Sequence, residues 1–340
     1  MYVKAAVALV AGAAILGLAR APAAQADQTL RVADSLPVGH YAAEQGIKPW
    51  MEAVTQKTNG AVTFQYFPAE QLGKAKDLLA LTQNGVVDVG YIQPAYISEK
   101  IPLSTVVELP GIYGNSCDAT KSFWSLAEGG GLLDEKEYGP NGVKLLFAVV
   151  MAPYQVMTKQ KIDSLDSFEG LKLRTGGTTQ DAMVRALDAV PVRVAGPEMY
   201  EALSRGTADG VVLPLASVLS YDLQKLVKYA TVDQSFGTTV VTYMISTRLF
   251  DSLPPDVQTV MVESGEEASL HACAYIDAQS DKNIARLRDA GVTVDPLPAD
   301  LGKELRAALA PTAAEWAKSL DAKGKPGSEA LQAYRAGSGS

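Results

Sequence analysis

One arginine stands out among the residues able to do chemistry. Arg174 ends the stretch Gly170-Leu171-Lys172-Leu173-Arg174 and is followed by Thr175-Gly176-Gly177. A guanidinium presents a planar fork of donors that matches a carboxylate through two parallel hydrogen bonds. The spacing places Arg174 at the carboxyl end of a strand, where open α/β sheets bind ligands. The two glycines let backbone amides come close to whatever sits there. The same side chain would equally serve in a surface ion pair, the commoner fate of an arginine.

The remaining reactive groups are scattered. His40 and His271 lie in different regions with no partner at metal-ligand spacing, so no metal is expected. There is no G-x-S-x-G elbow, no P-loop and no G-x-G-x-x-G after a strand; Gly129-Gly130-Gly131 lacks a following Lys-Ser/Thr. Glu266-Glu267 reads as the solvated face of a helix. Carboxylate pairs leave no local signature, so a secreted enzyme that clamps an acid with Arg174 stays open beside a pure binder.

The elements that must position Arg174 are those of an α/β protein. Leu30–Ala33 and Val62–Phe67 alternate as strands, with a helical pattern through Trp50, Met51 and Val54 between them. A helix over 74–83, the Asn84-Gly85 turn and a strand over 86–92 follow. The second half repeats the theme: strands at Val143–Val150, 171–174, 192–194 and 211–213, with helices over 178–187 and from Pro197 to Gly206. Leu81–Asp88 and Ala202–Asp209 echo each other, each a helix end, a glycine, two residues and an aspartate. That is mild support for two similar lobes. After Pro254-Pro255 a long amphipathic helix is expected over 257–287, and another over 301–320. Residues 336–340 are Gly/Ser-rich and expected to be disordered.

The chain opens as an export signal. Lys4 precedes an apolar run, Ala5 to Ala19, too short to span a bilayer, and Ala24-Gln25-Ala26 offers a cleavage site. The mature chain would begin at Asp27 in the periplasm, without a cysteine to carry lipid. Losing two cations, Lys4 and Arg20, takes the formal charge from −8 to −10. So acidic a chain is a poor partner for nucleic acid. About 310 residues are enough for two domains. Cys117 and Cys273 could pair in an oxidising compartment, but nothing in the sequence shows that they meet.

Several short stretches then occur in a telling order: Thr58-Asn59-Gly60, Phe67-Pro68-Ala69-Glu70-Gln71-Leu72-Gly73, Asn84-Gly85-Val86-Val87-Asp88, Leu109-Pro110, 165–174 and 197–210. In this order and spacing the chain resembles the substrate-binding proteins of tripartite ATP-independent periplasmic (TRAP) transporters, the DctP-like family. The resemblance covers essentially the whole mature chain. It implies a two-lobe periplasmic binding protein fold, with a ligand cleft between the lobes and a long helix spanning them. It also implies that Arg174 is the arginine that pairs with the ligand carboxylate, that membrane permease subunits are the partners, and that no cofactor is needed.

Where better-known relatives carry further polar readers, this chain has Gln93, Tyr154 and Leu213. The expected ligand is therefore a small organic monocarboxylate with an aromatic or otherwise apolar body. Arg174 would pair with it, Gln93 and Thr175 would hydrogen-bond it, and Tyr91, Met151, Tyr154, Leu213 and Phe236 would surround its body, although core packing is the default for apolar residues at strand positions. Lobe I is expected over 27–151 plus 240–279 and lobe II over 152–239 plus 280–335, in a monomer. A binding protein that feeds a sensor kinase or chemoreceptor is the other alternative.

Overall fold

The computed structural model describes residues 28–337. The expected export segment, 1–26, and the last three residues lie outside them. Six strands come first: β1 (Gln28–Ala33), β2 (Val62–Phe67), β3 (Val89–Ile92), β4 (Val143–Val150), β5 (Gln155–Thr158) and β6 (Lys172–Thr175). Then follow β7 (Val190–Arg193), β8 (Gly210–Leu213), β9 (Tyr229–Val232), β10 (Val240–Ser246) and β11 (Thr293–Pro296).

They build two sheets, ordered β2-β1-β3-β10-β4 and β11-β9-β5-β8-β6-β7. In the first, β1 runs parallel to β2 and β3, and β10 enters antiparallel between β3 and β4. In the second, β6 is parallel to β7 and β8, and β5 is antiparallel to β8 and β9. Each sheet is thus a parallel α/β core with one antiparallel strand set into it. Both faces are covered, which is why β4 reads as an unbroken apolar run. Phe147 and Val149 join the core on one side of the first sheet, Ala148 and Val150 that on the other.

The chain passes between sheets through 151–154, through 233–239, and again after the long helix Pro255–Ala278. That helix lays Val257, Met261, Ala268, Ala272 and Ile276 into the first lobe. Gly265 lets it lie flat on β4, since a Cβ there would stand 1.7 Å from the Leu146 carbonyl oxygen. After a turn at Gln279 the helix Ser280–Asp289 continues, and its Leu287 packs in the second lobe with Val292 and Val294. One nearly continuous helical rod therefore touches both lobes.

Three expectations need correction. The single helix over 301–320 is two, Ala299–Leu309 and Pro311–Asp321, because Pro311 cannot bond back into the turn before it. The first packs in the second lobe through Leu301, Leu305 and Leu309. The second, with Gly327–Ala336, returns to the first lobe, where Ala313, Ala317, Leu320, Leu331 and Tyr334 meet Phe123 and Val106. The end of the stretch 280–335 is thus not part of the second lobe's core. Ala336 closes a helix and does not begin a disordered tail.

Cys117 and Cys273 do meet: they form a disulfide between the helix Ser116–Ala127 and the long helix, both on the first lobe. The Asp277 carboxylate, one turn further on, accepts from the amides of Ser116 and Cys117 at 2.8 and 3.0 Å. A carboxylate at a helix start satisfies amides that have no partner within the helix.

Candidate ligand-binding site

Arg174 lies in β6, where side chains alternate between faces. Leu173 enters the apolar core of the second lobe, and Arg174 turns to the opposite side, into the cleft. It is 1 % exposed. Its Nε donates to the Val194 carbonyl oxygen at 2.9 Å, which fixes the plane of the guanidinium. Its Nη2 is buried and has no hydrogen-bond partner among the described residues. A buried cationic donor without a partner costs free energy that an incoming anion recovers.

The pocket around it draws on both lobes. Leu36 and His40 follow β1, Tyr91 and Gln93 end β3, Tyr96 sits on the next turn, and Met151 and Tyr154 flank a crossing. The second lobe adds Met199, Leu213, Ser217 and Tyr221. Four tyrosines and two methionines thus face one arginine, a wall that suits a flat apolar body with an acid at one end. His40 belongs to the same wall. It stacks on Tyr41 with centroids 4.6 Å apart and stands edge-on to Tyr221 at 5.6 Å. Its Nδ1 accepts from the Ala42 amide, and burial pushes its pKa down to about 3, so the ring is a neutral donor through Nε2 at physiological pH.

Of the residues expected at the site, Arg174, Gln93, Tyr91, Met151, Tyr154 and Leu213 come together here. Gln93 is less free than expected. Its carbonyl accepts from the Tyr91 hydroxyl, and its Nε2 donates to Thr239 Oγ1 at 3.0 Å. Thr175 and Phe236 do not belong to the pocket. Alternation turns Thr175 away from Arg174, and its hydroxyl donates to Asp181. Phe236 packs on Phe168, with centroids 6.3 Å apart, in the second lobe's core. His40, Tyr96 and Tyr221 were not anticipated, because nothing in their local pattern marks them as neighbours of Arg174.

A further buried acid stands nearby. Glu108 is 1 % exposed, and neither carboxyl oxygen has a hydrogen-bond partner among the described residues. Burial pushes its pKa up to about 8, with Asp181 adding and Arg174 and Arg193 opposing.

The lobes are shut on each other. The Gly196 amide donates to the Tyr96 hydroxyl at 2.9 Å, Tyr41 Oη and Ser217 Oγ lie 3.1 Å apart, and Thr179 Oγ1 donates to Thr105 Oγ1 at 2.9 Å. Only about 30 Å³ of free space remains beside Arg174, room for about one water molecule. A ring-sized ligand must therefore part the lobes and side chains to enter. A larger groove of about 1040 Å³ opens along the hinge side, lined by Gln45, Tyr113, Gln234, Asp281 and Arg286 among others. It is open, and its lining has no buried cation without a partner, so size does not make it the binding site.

Closure depends on a glycine. A Cβ on Gly177 would stand 2.2 Å from the Ala95 carbonyl oxygen across the cleft. Backbone on the far side cannot yield as a flexible side chain would. Gly177→Val is expected to hold the lobes apart and to weaken ligand capture by about tenfold to a hundredfold, because an open cleft leaves the ion pair wet. Titration calorimetry with benzoate measures it, and unchanged affinity would show that the observed closure is not the capturing state.

Two α/β lobes, shut over a buried, half-satisfied arginine in an aromatic wall, define a binding protein for small organic anions. The chain belongs to the bacterial extracellular solute-binding protein family 7, whose model matches residues 36–319. It is 28 % identical, over 77 % of each chain, to the C4-dicarboxylate-binding periplasmic protein DctP of Rhodobacter capsulatus. The TRAP solute-binding protein of Rhodoferax ferrireducens, solved with copurified benzoate, superposes with a TM-score of 0.83 at 25 % identity, covering 92 % of this chain and 97 % of that one. A marine metagenome TRAP solute-binding protein specific for aromatic acids, solved with 3-hydroxybenzoate, gives 0.83 at 26 %, covering 92 % and 98 %.

Proposed function

We propose that this protein captures a small monocarboxylate with an aromatic or otherwise apolar body in the periplasm and delivers it to a TRAP membrane permease. The observation that carries the reading is the buried Nη2 of Arg174, unpartnered within a wall of tyrosine and methionine. Solute-binding proteins of TRAP transporters bind small organic acids and work with membrane permease components. The two structural neighbours add that comparable folds hold benzoate and 3-hydroxybenzoate.

The mature chain starts at Asp27 and works as a monomer. A second carboxylate on the ligand would find no second arginine in the pocket lining, and an unpaired buried charge is strongly unfavourable. Benzoate is therefore expected to bind at least about tenfold more tightly than succinate, a difference of about 1.4 kcal/mol. Calorimetry with both acids decides it, and tighter binding of succinate would overturn the choice of ligand class. Recovery of benzoate unchanged after long incubation is the expected result for a carrier, and its turnover would favour an enzyme. Mass spectrometry of small molecules released from freshly purified protein would identify the natural acid.

A further inference from the structure

Glu108 ends the turn Leu103–Glu108 of the first lobe and is wedged against a crossing between lobes. A Cβ on Gly237 would stand 2.0 Å from the Glu108 carbonyl oxygen, and Gly237 has φ +84°, a conformation that glycine alone adopts without strain. The Glu108 backbone is thus fixed against the crossing 233–239, and its carboxyl is buried without a hydrogen-bond partner among the described residues. The charged and titratable groups that act on it come from that lobe: Arg174 on β6, Asp181 on the helix Thr178–Arg185, Arg193 at the end of β7, and Tyr154 beside the crossing.

Counting charges shows a conflict. Arg193 is committed: its Nε donates to Asp181 Oδ2 at 3.1 Å, and its Nη1 stands 3.8 Å from Glu99 across the cleft. Arg174 is the cation left over, and it can compensate one anion. When the cleft shuts over a monocarboxylate, as the proposed function holds, two carboxyl groups compete for it in a space that excludes water. Protonating one of them is easier than burying a second unpaired charge.

We propose that Glu108 is a second determinant of the site: it takes up a proton as the monocarboxylate is captured, leaving Arg174 to the ligand. In an opened cleft Glu108 meets water, and its pKa returns toward the ordinary carboxylate range. Closure then buries it, and the ligand's own charge screens Arg174 from it, which raises it further. The affinity is full below the open-state pKa. It falls by up to about tenfold per pH unit above it, until the closed-state pKa is passed. The device also selects: a dicarboxylate would bring a further charge against a carboxyl that already had to be neutralised.

The test is calorimetry of the wild type and Glu108→Gln with benzoate and 3-hydroxybenzoate, from about pH 6 to 9, in buffers of different ionisation enthalpy. Expected for the wild type are proton uptake on binding and an affinity that weakens as pH rises. Glu108→Gln, which mimics the protonated carboxyl, should bind without proton uptake and with an affinity that stays flat with pH, so that at pH 9 it exceeds the wild type's by about tenfold for each pH unit that separates the open-state and closed-state pKa of Glu108. Buffer-independent heats with a flat affinity in the wild type would overturn the inference. So would uptake that persists in Glu108→Gln, which would belong to another acid such as Asp34, buried in the first lobe beneath the hydroxyls of Tyr66 and Tyr243. If neither aromatic acid gives heat at any pH, the ligand class itself is wrong and this inference falls with it; heat without protons refutes only the role of Glu108.

Discussion

Arg174→Ala is expected to weaken benzoate binding by about 30-fold to several-thousand-fold, that is by about 2–5 kcal/mol. The ligand carboxylate would still be buried by closure, but without its paired donors. Arg174→Lys should restore little, because an ammonium on a flexible stem cannot present two parallel N–H groups. The Nε bond to Val194 makes the case stronger, since it aims the fork before any ligand arrives. Arg185, exposed on the helix that follows, is the proper control. Arg193 is not, because it pairs with Asp181 and reaches toward Glu99 on the other lobe. Should Arg174→Ala fold normally and bind benzoate within about threefold of the parent, about 0.7 kcal/mol, Arg174 is not the anchor.

The second large effect is on stability. Replacing Cys117 and Cys273 by serine removes a cross-link between residues 156 apart in sequence. Long closed loops restrict the unfolded chain most, and loss of such a bridge costs about 2–5 kcal/mol. A fall in Tm of roughly 4–20 °C is expected in a thermal melt. Both bridged helices belong to the first lobe, so benzoate affinity should stay within about twofold where the protein is folded. Equal melting of the bridged and serine forms would show that the bridge contributes nothing measurable. A large loss of affinity in the folded variant would show that it also sets the geometry of the cleft.

How far each feature was legible follows from the range of the interaction behind it. Alternation and glycine placement are local signals: they located β2 and β4, the end of β6 to within a residue, and β1 to within two. β5, β9, β10 and β11 escaped because their places in the sheets depend on partners far along the chain. The helical spacing over 257–287 was legible, whereas the break at Gln279 and the return of Pro311–Asp321 to the first lobe were not. An apolar helix face says that something must cover it, not which lobe will.

The site divides in the same way. The sequence by itself determined an α/β chain with one arginine at the carboxyl end of a strand, beside glycines that permit close approach. Those are consequences of backbone periodicity and side-chain type, which neighbouring residues settle. Only the tertiary structure decided what that arginine meets. It turned Thr175 to Asp181 and Phe236 to Phe168, tied up Gln93 between Tyr91 and Thr239, and brought His40, Tyr96, Tyr221 and Glu108 close to it. It also brought two cysteines into bonding range across most of a lobe. The physical reason is that buried contacts form between segments distant in sequence. With both faces of each sheet covered, alternation alone does not tell which face of a strand looks into the cleft.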